Sequence, residues 1–175
     1  AAIDIITDDQ VVVTATVQPT LTFAISDSTI EFGNLSASDD TFADDSAGNA
    51  TEVEAHTLAA STNAAGGYAI TLNGATLTDG AKTIDAIGSS NTATSVGSEQ
   101  FGVRFTASGG SGAVTAPYAA SGFAFDTAAF PDEVAASTVP SATTTYSARY
   151  IANIASTTEA GSYSATLTYI GTGRF

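Results

Sequence analysis

The chain has 175 residues, 18 of them acidic and only 4 basic, for a net charge of −14. Phosphate backbones call for clustered Lys and Arg, so this balance excludes nucleic acid as a partner and disfavours docking on an anionic membrane surface. Cys, Met and Trp are absent, which removes disulfides and thiolate chemistry, and no run of about 18 apolar residues offers a membrane-spanning helix.

The length fits one domain that buries roughly 70% of its unfolded surface. Ala1-Ala2 opens a chain without Met. That start predicts removal of a secretory leader after a small-residue site, and hence an extracellular protein at the cell surface. The opening AAIDII is apolar, the step TDDQ is acidic, and QVVVTATV places Val11, Val13, Ala15 and Val17 on one face of a strand. Fully extended, residues 1–17 span about 55 Å. A compact domain of this size is about 40 Å across, with a radius of gyration near 16 Å. The segment is thus longer than the body it precedes, and an exposed apolar strand must be hidden or used.

The period of two continues down the chain. TLTFAIS alternates Leu21, Phe23 and Ile25, and STIEF continues through Ile30 and Phe32. Residues 36–51 are small, polar and acidic and read as a loop. A strand through Val53, Ala55 and Thr57 leaves His56 on the outer face. Tyr68, Ile70 and Leu72 share a face, and Asn73-Gly74 predicts a type I′ hairpin turn back through Ala75 and Leu77. Residues 79–88 are the one place that suggests a helical turn. Phe101, Val103 and Phe105 then point inward, residues 106–142 read as loops or short irregular strands, and Tyr146, Ala148 and Tyr150 form another inner face. Tyr163, Ala165, Leu167 and Tyr169 close the series. Strong helix formers other than Ala are rare, and short alternating runs between turn signals predict an all-β fold. The expected architecture is an antiparallel β-sandwich, Ig-like or jelly-roll-like, with 1–17 as an extended N-terminal strand and 18–175 as a single sandwich domain.

The residues offer little for catalysis. His56 is the only histidine and no GxSxG turn is present, so a Ser-His-Asp triad lacks its parts. Asp39, Asp40, Asp44, Asp45, Glu52 and Glu54 form the densest acidic run. Hard cations bind oxygen ligands, but the spacing is not that of an EF-hand. No carboxylate pair is singled out for glycoside hydrolysis. Lys82, the only lysine, and Asn153 invite comparison with an intramolecular isopeptide staple, although an exposed lysine is the plainer reading. Asn34-Leu35-Ser36 and Asn49-Ala50-Thr51 fit the glycosylation pattern, as chance allows in so Ser- and Thr-rich a chain. The expectation is a protein that is not an enzyme, with no catalytic residue, cofactor or metal.

The stretches VTATVQPTLTFAISDSTIEFGNLSASD, STNAAGGYAITLNGATL and AGSYSATLTYIGTGRF resemble small exported bacterial surface proteins with the same strand-and-turn motifs. In layout the chain is also similar to biofilm-fibre proteins of the TasA type and to archaeal bundling pilins. The resemblance implies polymerisation into a pilus-like, head-to-tail helical homopolymer, in which the N-terminal strand of one subunit completes the sandwich of the next. It further implies a role in adhesion or biofilm, with surface glycans or another cell's surface as the outer partner. The donor side chains would be Ile3, Ile5, Ile6, Val11, Val13 and Val17. At about 2 kcal/mol each they offer about 12 kcal/mol gross. Backbone ordering costs about 1–2 kcal/mol per residue, so a preshaped groove and ladder hydrogen bonds are required. The chain departs from chaperone–usher pilins in having no disulfide, and from type IV pilins in opening with a strand pattern. The competing expectation is a monomeric cell-surface module for a carbohydrate or protein ligand, with 1–17 as its own first strand.

Overall fold

A computed structural model describes residues 10–119 and 121–175, and among these it contains only strands, turns and loops. Twelve strands form the body: β1 (Leu21–Ile25), β2 (His56–Thr62), β3 (Tyr68–Gly74), β4 (Thr78–Asp79), β5 (Lys82–Thr83), β6 (Gly88–Thr92), β7 (Gln100–Gly109), β8 (Ala113–Val114), β9 (Phe123–Phe125), β10 (Asp132–Ser137), β11 (Ser141–Asn153) and β12 (Leu167–Gly173). A six-stranded sheet in the order β1-β2-β11-β7-β9-β6 packs on a four-stranded sheet in the order β12-β3-β10-β8. Every strand pair in these sheets is antiparallel. The fold is the all-β sandwich that the alternation predicts.

The central ladder joins β7 and β11 from Gly109 opposite Thr144 to Gln100 opposite Asn153. Phe101, Val103 and Phe105 on β7 and Tyr146, Ala148 and Tyr150 on β11 all turn inward and are buried. Tyr68, Ile70 and Leu72 of β3 belong to the same core cluster. Aromatic rings fill space that longer aliphatics would occupy in a less Ala-rich chain. Phe125 meets Phe101 and Phe130 edge-to-face at centroid distances of 4.7 and 4.9 Å, the geometry that an aromatic quadrupole favours.

Residues 11–17 form no strand with the rest of the subunit; they lie fully exposed. Several local expectations are corrected. Asn73-Gly74 is not a turn, because β3 runs through it and pairs Asn73 with Thr168 and Gly74 with Leu167. Residues 79–88 hold the β4–β5 hairpin and no helical turn. STIEF makes only the isolated bridge between Glu31 and Asp44, while Ile30 and Phe32 pack on the core. The segment 106–142 does hold short strands, β8, β9 and β10, with Phe123 and Phe125 buried. In β2 the phase is reversed: His56, Leu58, Ala60 and Thr62 face inward.

Candidate functional site

The two sheets do not close on each other along one side. β1 is the edge of the large sheet and β12 the edge of the small one. Near the start of β1 they approach closely: a Cβ built on Gly171 would lie 2.9 Å from Cγ of Phe23. Toward the end of β1 they part. The chain leaves the ladder after Ile25, with Ser26 still donating its backbone N–H to the Thr57 carbonyl at 3.0 Å. Residues 27–35 then form one wall of a groove of about 950 Å³, and residues 158–165 form the other.

Apolar and polar side chains share the lining of the groove. Ile30, Phe32, Leu77, Phe101, Tyr163 and Leu167 line it, and Phe101 and Leu77 are themselves buried core residues. It therefore opens onto the interior of the sandwich. β1 and β12 reach it through Ile25, Leu167 and Tyr169, and its walls are mainly the loops that flank these strands, in which Glu31 and Ser164 already pair with Asp44 and Thr78. The floor carries a polar chain. His56 Nε2 lies 2.8 Å from the Tyr150 hydroxyl, which lies 2.5 Å from the Tyr169 hydroxyl. The His56 ring stacks on Tyr150 and meets Tyr169 edge-on. Burial pushes both tyrosine hydroxyls far above their usual range, so they stay protonated and act as hydrogen-bonding groups only. The expectation of an outward His56 is thus overturned: the residue is only 6% exposed. The cue is Leu58, the one bulky side chain in HTLAAST, which sets the inward phase.

The predicted donor residues divide in two. Val11, Val13 and Val17 are 86%, 86% and 83% exposed; Ile3, Ile5 and Ile6 lie outside the described residues. The exposed segment is held only at its base. Asn63 accepts from the Thr20 N–H at 2.7 Å and donates to the Gln18 carbonyl at 2.9 Å. Thr62 Oγ1 donates to the Thr20 carbonyl. This clamp sits at the start of β1, whereas the groove opens beyond its end. The base of the tail and the groove therefore lie at opposite ends of β1.

The acidic run serves local structure. Asp44 Oδ1 accepts from the backbone N–H groups of Ser46, Ala47 and Gly48, each at 2.8 Å, and these bonds hold its carboxyl below the usual carboxylate range. Asp40 takes hydrogen bonds from Thr94 and Asn153. Glu52 pairs with Arg104 and lies 3.5 Å from Arg149. Among the described residues no group of three or more His, Asp and Glu is arranged to hold a metal ion. Lys82 donates to the Ala160 carbonyl at 2.8 Å, while Asn153 bonds Thr41, Asp40 and Gln100, so the lysine and the asparagine serve separate networks.

Comparison with family models, curated proteins and solved structures finds no match to this chain. The groove and the tail are therefore interpreted from their own chemistry.

Proposed function

We propose that this protein is a structural subunit of an extracellular, pilus-like filament, assembled by exchange of its N-terminal strand, with a role in adhesion or biofilm. One observation carries the proposal: residues 11–17 form no strand in their own subunit and expose Val11, Val13 and Val17, and a groove reaching the core side chains Phe101 and Leu77 opens beside the outer strands β1 and β12. A strand is an occupant that can cover the apolar side chains of the groove and pair with an outer strand at once. Because donor and acceptor surfaces differ, the contact is heterologous and propagates.

Intramolecular use of the tail is disfavoured by direction. To fill its own groove the chain would have to reverse at 18–20, where the Asn63 clamp fixes its exit. The monomeric binding module requires 1–17 as its own first strand, and residues 11–17 form none with this subunit.

Electron microscopy of the full chain tests the proposal beside a Val11→Asp/Val13→Asp/Val17→Asp variant. The unsubstituted chain should give uniform thin filaments. The variant should give dispersed particles with an unchanged melting temperature, since these side chains touch nothing in the subunit. A peptide of residues 1–17 should then bind the variant. Filaments that persist in the variant would sink strand exchange through this segment.

A further inference from the structure

His56 stands on the boundary between two hollows. It lines the floor of the groove, and it also lines a separate recess of about 530 Å³ with Asp27, Asp44, Asp45 and Glu54 on its walls. Its Nε2 is engaged by Tyr150, but its Nδ1 is buried and has no hydrogen bond of ordinary geometry. Every group that faces the ring can be named. Asp27 comes from the segment after β1, Glu54 from the approach to β2, and Asp44 and Asp45 from the acidic loop. Tyr150 belongs to β11 and Tyr169 to β12.

We propose that His56 is a proton-operated gate on this groove, which takes the N-terminal strand of a second copy while the imidazole is neutral and releases it when the imidazolium forms. The inference rests on strand exchange at the groove. With Nε2–H donating to the Tyr150–Tyr169 chain, the neutral ring leaves only the Nδ1 lone pair without a partner. The imidazolium has two N–H donors, and the buried Nδ1–H then lacks an acceptor, with only the charges of the acidic recess near it. A strand laid in the groove covers the ring's groove side with apolar side chains and desolvates it further. An ion buried without a full set of partners is costly. Proton and strand therefore compete, and by linkage each weakens the other.

The direction is consistent with the empty subunit. Desolvation lowers the His56 pKa below the ordinary 6.5, against a smaller upward pull from the Thr57 backbone and then from Asp27 and Glu54. A base whose pKa is lower in the folded state contributes stability that is full above about 6.5 and is lost as pH falls through the folded value. Strand insertion extends the same desolvation.

The test is the critical concentration for filament formation of the full chain, from about pH 8 to about pH 5.5 at fixed ionic strength. The expected result is a rise on acidification of up to about tenfold per pH unit, the limit for one proton per subunit. His56→Gln and His56→Phe should give critical concentrations that do not change with pH, whatever their value near pH 8. The single histidine resonance supplies a second readout: its pKa should fall when the 1–17 peptide is added to the tail-substituted subunit. Filaments with no pH dependence, a slope retained by both variants, or assembly that strengthens on acidification through His56 would overturn the gate and leave strand exchange standing. No filaments at any pH would overturn strand exchange itself, and the gate with it.

Discussion

Tyr68 of β3 and Tyr146 of β11 meet hydroxyl to hydroxyl at 2.8 Å, inside the sandwich and across the gap between its sheets. Burial raises the Tyr146 hydroxyl far above its usual range, so it stays protonated at any physiological pH. The backbone of Gly112 passes directly over it: a Cβ there would lie 1.9 Å from the Tyr146 hydroxyl and 2.3 Å from that of Tyr68. Water cannot easily replace a lost partner in so tight a space. Tyr146→Phe should therefore cost about 1–3 kcal/mol, the penalty for stranding a buried polar group. Adding Tyr68→Phe should cost much less than a second such penalty, because no orphan then remains. Urea unfolding of the two single variants and the double variant measures the coupling. Strictly additive losses would mean that the hydroxyls act independently.

At the scale of elements, β1 and β12 decide whether the sandwich is open or shut along its side. Gly171 lets them approach, since any side chain there would press on the Phe23 ring. Gly171→Val should overpack this seam at a cost of about 1–3 kcal/mol, read as a lowered melting temperature at about 2–4 °C per kcal/mol for a chain of this size. An unchanged melting temperature would mean that the seam yields freely. Sequence alternation made the inner faces of β1, β3, β7 and β11 legible, because each carries two or more bulky apolar residues in phase. It failed where that signal is thin. HTLAAST has one bulky residue amid small ones, so the phase of β2, and with it the burial of His56, was set by tertiary packing. Asn73-Gly74 is a strong local turn signal, but the β12 ladder supplies partners for both residues and wins. The groove was not legible at all. It arises because the chain leaves β1 at Ser26 and returns to the edge of β3 at Leu167, a matter of topology that no local pattern encodes. The exposed tail, by contrast, was visible as surplus length.

For the whole molecule the governing quantities are polarity and charge. The clamp at Asn63 and the groove beyond Ile25 mark opposite ends of β1, so under the proposed strand exchange each added copy would present a fresh groove or a fresh tail and the assembly would not close. Every copy brings a net charge of −14. At about 0.01 M salt the screening length is about 30 Å, comparable with a subunit diameter of about 40 Å, so neighbours repel across their whole bodies. At about 0.15 M it is about 8 Å, and only charges at the contact itself still matter. Filament assembly should therefore be weak at low salt and strengthen as NaCl is raised toward physiological strength, with the critical concentration falling steeply and then levelling. Because Asp40, Asp44 and Glu52 are engaged in turns and ion pairs and no described group of carboxylates is gathered as metal ligands, calcium and magnesium should act through ionic strength and match NaCl on that scale. Light scattering across salt series at pH 8 or so, above the His56 window, separates this screening from the histidine gate. Assembly indifferent to salt would mean that the acidic residues face away from every contact. A response to micromolar calcium alone would instead locate a cation site formed between subunits, where carboxylates from two copies meet.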